Sequence, residues 1–228
     1  MKSFQPNIET AESIPNVIDS NEQLSSVSRD LNVELIHDAV FGAYDGYVNQ
    51  LTKFAPCNGK GQTLYVFVTD RFRERMCKLG WTKSDMYQVS CVYNKEQGVR
   101  ISCTTDGGPA VGQKGCAPAL RTKGNGTIRL AGHSGCETMR IPYFEHDTPE
   151  NPVHKTAALS FYYLLVYLDE VKQEIRIELS RPEFNTQGEI THWVSRIILP
   201  PVNLVPVPSI DLKSAPTPTI HVEKRKIS

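Results

Sequence analysis

The last third of the chain repeats apolar runs of strand length between short polar turns. The runs lie at 159–168, 174–181 and 190–199. In the middle run, Ile175, Ile177 and Leu179 alternate with Glu174, Arg176 and Glu178. A two-residue period puts successive side chains on opposite faces of a strand. The pattern therefore predicts a three-stranded antiparallel meander whose middle strand has one buried apolar face and one wet charged face.

Apolar residues at a three-and-four spacing predict a helix nearer the N-terminus. Its apolar positions are Ile36, Val40, Tyr44, Tyr47, Val48, Leu51 and Phe54. Asp30 or Asn32 caps its start, and Pro56 ends it. The β-branched and aromatic run at 61–69 favours a strand, followed by a helix from Asp70 to Leu79. A continuous helix from Thr63 is the alternative.

A β-hairpin is predicted next, with strands at 86–93 and 99–105 around the turn NKEQG. In simple register Cys91 lies opposite Ile101 and Cys103 opposite Val89, which makes both cysteines core thiols. Short strands are expected at 127–132 and 139–144. The chain is therefore expected to adopt an α+β fold: a mostly antiparallel sheet of about six or seven strands, ending in the meander, with two N-terminal helices.

The two ends of the chain differ from the middle in composition. Residues 1–28 are polar and predict a flexible N-terminal arm. Residues 200–228 are proline-rich, which favours extended polyproline II and predicts a C-terminal tail. A single domain is therefore expected over 29–199.

Composition narrows the protein class. The chain has 228 residues, and 39% of them are hydrophobic. No apolar run approaches the roughly 20 residues needed to cross a membrane, so no membrane association is expected. The N-terminus has no apolar run typical of a secretory signal, which predicts a cytoplasmic protein. None of the six cysteines forms a C-x-x-C pair, which removes the strongest zinc and redox signatures. The chain is also long and lacks the cysteine density of a disulfide scaffold.

The net charge of zero conceals a basic block. Residues 71–140 carry a net charge of +7, while residues 1–70 carry −5. Seven of its cations are candidate nucleic-acid ligands: Arg71, Arg75 and Lys78 on one helical stripe, Lys114, Arg121 and Lys123 in a glycine-rich stretch, and Arg129 after it. Cations attract phosphates, and glycines allow close backbone approach, so the block predicts nucleic-acid binding. In the alternative interpretation, neighbouring acids neutralise these cations.

Motifs for cofactors and metals are weak. The glycine-rich stretch has Gly115 after Lys114 and no following helix, so it does not match a phosphate-binding loop. His133 and Cys136, with Cys116 upstream, have ligand types suited to zinc but lack two close pairs. No cofactor or metal is predicted.

Two other functions stay open. A metal-dependent hydrolase, as in a nuclease, would use acids at 145–147 or 169–178, with His146 as general base. An adaptor would present its proline-rich tail to a protein partner. Whether the chain is an enzyme is left undecided by its motifs.

Overall fold

In a computed structural model, the chain has an α+β fold built on a seven-stranded sheet. The structure describes residues 17–132, except 53, 57 and 58, and residues 159–204. The helices are α1 (Val17–Val27), α2 (Val33–Gln50), α3 (Gly59–Lys78) and α4 (Asn125–Leu130). The strands are β1 (Thr82–Ser84), β2 (Cys91–Asn94), β3 (Val99–Thr104), β4 (Ser160–Asp169), β5 (Glu174–Phe184), β6 (Ile190–Ile198) and β7 (Val202–Asn203). None of the described helices is long and apolar enough to cross a bilayer.

The strands follow the order β1-β2-β3-β4-β5-β6, with β7 paired to β5. Every neighbouring pair is antiparallel except β3 and β4, which are joined by a connection long enough for a parallel crossover. The predicted meander is confirmed as β4, β5 and β6. Ile175, Ile177 and Leu179 have no exposed surface, as the alternation predicted. The mostly antiparallel α+β prediction is therefore confirmed.

Helices α2 and α3 cover one face of the sheet. Asn32 caps α2, because its Oδ1 accepts a hydrogen bond from Leu35 N at 2.8 Å. The buried residues of α3 recur at four-residue spacing: Leu64, Val68, Phe72 and Met76. The strand predicted at 61–69 is wrong, and the continuous helix is right. The helical period of the apolar positions outweighs the strand preference of Tyr65, Val66 and Phe67.

The predicted hairpin forms in a different register. Cys91 pairs with Ser102, and Val92 pairs with Ile101. The prediction is one residue off because Asn94 belongs to the strand, where it pairs with Val99, and not to the turn. Burial raises the pKa of Cys91 and raises that of Cys103 to about 12, so both remain core thiols.

Two separate cores lie on opposite faces of the sheet. In β4, Tyr162, Leu164 and Val166 pack with the helices, whereas Phe161, Tyr163 and Leu165 belong to a second core. This second core is closed by residues 107–132, which we call the covering segment. The segment includes α4, so the strand predicted at 127–132 is wrong: a helical turn buries Thr127, Ile128 and Leu130 together. The strand predicted at 139–144 lies outside the described residues.

The described residues within the predicted arm and tail belong to the folded body. Helix α1 buries Leu24 completely in the first core, and Ser20 Oγ donates to Ile198 O at 3.2 Å. At the other end, β7 pairs with β5 and Leu204 is buried. The predicted arm includes α1 because one fully buried leucine is hard to recognise in a polar segment. Residues 1–16 and 205–228 lie outside the described part of the chain.

We expect Leu24→Ala to lower the free energy of unfolding by about 2–5 kcal/mol, because it leaves a cavity in the first core. Urea denaturation monitored by tryptophan fluorescence would measure the change. Val171→Ala is the control, since Val171 is 93% exposed and its truncation should change stability by less than about 0.5 kcal/mol. Equal effects of the two substitutions would show that α1 does not dock.

Candidate nucleic-acid interface

The face of β5 that the alternation predicted to be wet is buried. Glu178 has no exposed surface, and Arg176 is only 7% exposed. The covering segment lies across these residues, so the prediction of a solvated face is wrong. The polar residues of this face instead bind an irregular chain segment.

Glu178 is the centre of this anchor. Its carboxylate accepts hydrogen bonds from Arg196 Nη2 at 2.6 Å, from Ser180 Oγ at 2.8 Å and from Gly112 N at 2.8 Å. Gly112 has a left-handed φ of 71°, and a Cβ there would lie 3.0 Å from the Cβ of Arg176. Glycine therefore permits the close approach by which the backbone reaches the buried carboxylate.

Side chains of the sheet also bind carbonyl oxygens of the covering segment. Arg196 Nη1 donates to Cys116 O at 2.7 Å, and Arg176 Nη1 donates to Pro109 O at 2.7 Å. Trp193 Nε1 donates to Pro118 O at 3.1 Å. These bonds satisfy backbone groups that no strand pairing reaches, which is why an irregular segment can close a core.

Lys123 is an internal anchor as well. Its Nζ lies 2.8 Å from Asp106 Oδ2, and its side chain is only 15% exposed. Burial would raise the pKa of Asp106, but hydrogen bonds from Lys123 and Thr104 outweigh that effect and hold it below its ordinary value. Lys123 was predicted to contact nucleic acid, and the structure places it in an ion pair inside the fold.

The three helical candidates each contact an acid. Arg71 and Lys78 both bind Glu74, at 3.2 Å and 2.7 Å, and their hydrogen bonds, that of Lys78 foremost, lower the pKa of Glu74. Arg75 binds Asp38 of α2 at 2.8 Å. This stripe is therefore largely neutralised, as in the alternative interpretation of the basic block.

The seven predicted cations fall into two groups in different layers of the fold. The apolar stripe of α3 packs in the first core, and Val111 and Leu130 of the covering segment pack in the second. The sheet lies between these cores. Helix α3 and the covering segment therefore pack on opposite faces of the sheet.

The covering segment carries four cations and no carboxylate. Lys114 and Arg121 are exposed, and the guanidinium of Arg129 lies 5.4 Å from the ring centroid of Tyr87. Tyr87 is 51% exposed and has a left-handed φ of 55° in the 3-10 turn Met86–Gln88. The sequence pattern missed Tyr87 because it placed this residue inside a strand, and no local signal marks its backbone conformation.

The acids at 169–178 do not converge. Asp169 accepts from Arg176 Nη2 at 2.9 Å and from two backbone N–H groups of its own turn, and Glu170 binds Lys60 at 2.7 Å. Among the described residues, no three or more histidine, cysteine, aspartate or glutamate side chains are grouped to hold a metal ion. The acids at 145–147, His133 and Cys136 lie outside this part, and Cys116 is exposed.

No family model, characterised protein or solved structure matches the chain. The function must therefore be inferred from the chemistry of the chain itself.

We expect Glu178→Gln to lower the free energy of unfolding by about 3–5 kcal/mol, because it leaves Arg196 without its buried counter-charge. Urea denaturation would measure this loss. Limited trypsin digestion should also cut the covering segment faster at Lys114 and Arg121.

Glu189→Gln is the matched control, because Glu189 is exposed in the turn between β5 and β6. Its stability and cleavage rate should stay near those of the wild type. Wild-type stability and cleavage in Glu178→Gln would contradict the anchoring role of the carboxylate.

Proposed function

We propose that the protein binds nucleic acid through the outer surface of the covering segment. The observation that supports this is a segment without a carboxylate in which Lys114 and Arg121 are exposed and Arg129 lies against the exposed ring of Tyr87, whereas Lys123 is held by Asp106. Phosphates are attracted by such a surface without specific base contacts.

The Arg129–Tyr87 pair favours a single strand over a duplex as the ligand. Exposed aromatic rings stack with unpaired bases, and an adjacent guanidinium adds a cation contact to the base or the phosphate. The bases of a duplex are already stacked on each other, so Tyr87 would gain little from one. Gly126 of α4 packs closely on the backbone of Tyr87, since a Cβ on Gly126 would lie 2.5 Å from the carbonyl oxygen of Tyr87. This contact fixes the position of Tyr87.

The stripe on α3 is a weaker candidate for the same role. Glu74 contacts both Arg71 and Lys78, so a phosphate would have to compete with a carboxylate for each cation. This competition reduces the attraction that the stripe offers to a phosphate.

The hydrolase and the adaptor have less support from the structure. The acids at 169–178 are engaged by arginine, lysine and backbone groups, and this disfavours a metal-dependent hydrolase at that position. The acids at 145–147 and the proline-rich tail lie outside the described residues, so a hydrolase there and an adaptor role stay predictions.

We expect the chain to bind a fluorescein-labelled 20-nucleotide single strand at low salt, with affinity that falls as salt rises. Arg121→Ala with Arg129→Ala should flatten the log–log salt slope by about 1.4, since each lost phosphate contact on a single strand removes roughly 0.7. Fluorescence anisotropy over a potassium chloride series would measure it.

The matched variant is Arg71→Ala with Lys78→Ala, which also removes two cations. Its slope should change by less than that of the first double variant, because a phosphate would have to compete with Glu74 for both residues. Equal slopes in the two double variants would show that only net charge matters. Absence of binding by the wild type at low salt would overturn the proposed function.

A further inference from the structure

A groove of about 660 Å³ lies between the covering segment and β6. Its walls are largely apolar and are formed by Ala117, Pro118, Ala119, Leu120, Ile190 and Trp193. Trp193 packs against the second core and also lines the groove, so part of its indole faces the open side. The hydrogen bond from its Nε1 to Pro118 O fixes the orientation of the ring. The groove therefore presents an aromatic side chain between aliphatic walls.

The charged side chains of the lining do not favour a phosphate. Arg196 is the only arginine or lysine among the described residues that line the groove, and its Nη2 already binds Glu178 at 2.6 Å. His192 Nε2 lies 2.9 Å from a carboxylate oxygen of Glu183. The exposed carboxylate of Glu189 would repel an anion. The lining thus suits an uncharged, apolar occupant.

The proline-rich tail contains a segment of this kind. Residues 214–220 read SAPTPTI and carry no charge. Proline favours the extended polyproline II conformation, and segments in this conformation dock in aromatic-lined grooves with little loss of conformational entropy. The segment lies outside the described residues, but the tail starts from a fixed point, because β7 pairs with β5 just before Leu204.

The distance from this starting point to the groove can be read along β5. Leu204 N donates to Gln173 O at 2.8 Å, directly before β5 begins. Trp193 pairs with Pro182, near the other end of β5. A strand advances about 3.3 Å per residue, so the two points are roughly 30 Å apart along the sheet.

This distance distinguishes the two proline pairs of the tail. Pro206 and Pro208 follow Leu204 by two and four residues, which is too short to reach the groove. Pro216 and Pro218 follow it by 12 and 14 residues. Polyproline II advances about 3.1 Å per residue, so the second pair reaches roughly 40 Å from Leu204. Only the second pair therefore has the reach to meet Trp193.

We infer that the groove binds the chain's own tail at residues 214–220, with the two prolines of this segment against Trp193. Because the tail and the groove belong to one chain, the linker gives an effective concentration on the order of millimolar, and a weak contact suffices to hold the segment. The tail contact goes beyond nucleic-acid binding and does not depend on it.

Acrylamide quenching of the intrinsic fluorescence tests this contact in the full chain. Trp81 is 3% exposed, so quenching reports mainly on Trp193. Pro216→Ala with Pro218→Ala should raise the quenching constant about twofold, because the docked fraction falls from most chains to few. Pro206→Ala with Pro208→Ala is the matched control, since it also removes two tail prolines, and its constant should stay at the wild-type value. Equal constants in the two double variants would overturn the inference.

Photocrosslinking gives a second readout that locates the segment. A photocrosslinking amino acid in place of Thr217 should join residues 117–122 or 189–193 of the same chain, mapped by peptide mass spectrometry. The same group in place of Val207 should not reach these residues. Crosslinks from position 217 to other parts of the chain would overturn the inference. Crosslinked dimers would also overturn it, because they would assign the groove to the tail of a second copy.

Discussion

The buried carboxylate of Glu178 is the interaction on which the second half of the fold depends. It has no exposed surface, and it is satisfied by Arg196, Ser180 and the backbone of Gly112. An isolated carboxylate in such a place would be very costly, so the arginine and the segment backbone must both be in place. The network therefore ties an irregular segment to a regular sheet and keeps the second core closed.

This arrangement explains how a glycine-rich stretch can be structural. A segment without strand pairing leaves its backbone carbonyls without partners from a neighbouring strand. Here the sheet residues Arg176, Arg196 and Trp193 donate hydrogen bonds to these carbonyls. The apolar residues Val111 and Leu130 add packing at the two ends. Polar side chains of the sheet thus serve as the hydrogen-bonding partners that a neighbouring strand would otherwise supply.

The fold separates the cations of the basic block into those that form ion pairs within the protein and the other cations of the covering segment. Lys123 holds Asp106 inside the fold, and the helical cations are matched to Glu74 and Asp38. The remaining cations of the covering segment project from a surface whose own sequence has no acid. Charge along the sequence is therefore a poor guide to charge at the surface, because a cation's partner is chosen by proximity in space.

Elements whose signal is local could be predicted from the sequence. The period of two at Ile175, Ile177 and Leu179 identified the meander, and the spacing from Ile36 onward identified α2, because both patterns reflect which face of a single element is buried. What covers each face could not be predicted, because it depends on contacts between residues far apart in the chain. Nothing in the local sequence distinguishes a Glu178 that faces water from one that faces Arg196 and Gly112. Helix α1 likewise depends on one leucine that packs in a core formed by residues far away in the chain.

The sequence predicted the candidate interface only as an excess of positive charge. Its position depends on the fold, since Tyr87 and Arg129 are 42 residues apart in the chain and are brought together by α4 and the 3-10 turn. Long-range contacts of this kind leave no periodicity in the sequence, because each partner's environment is set by residues far away along the chain.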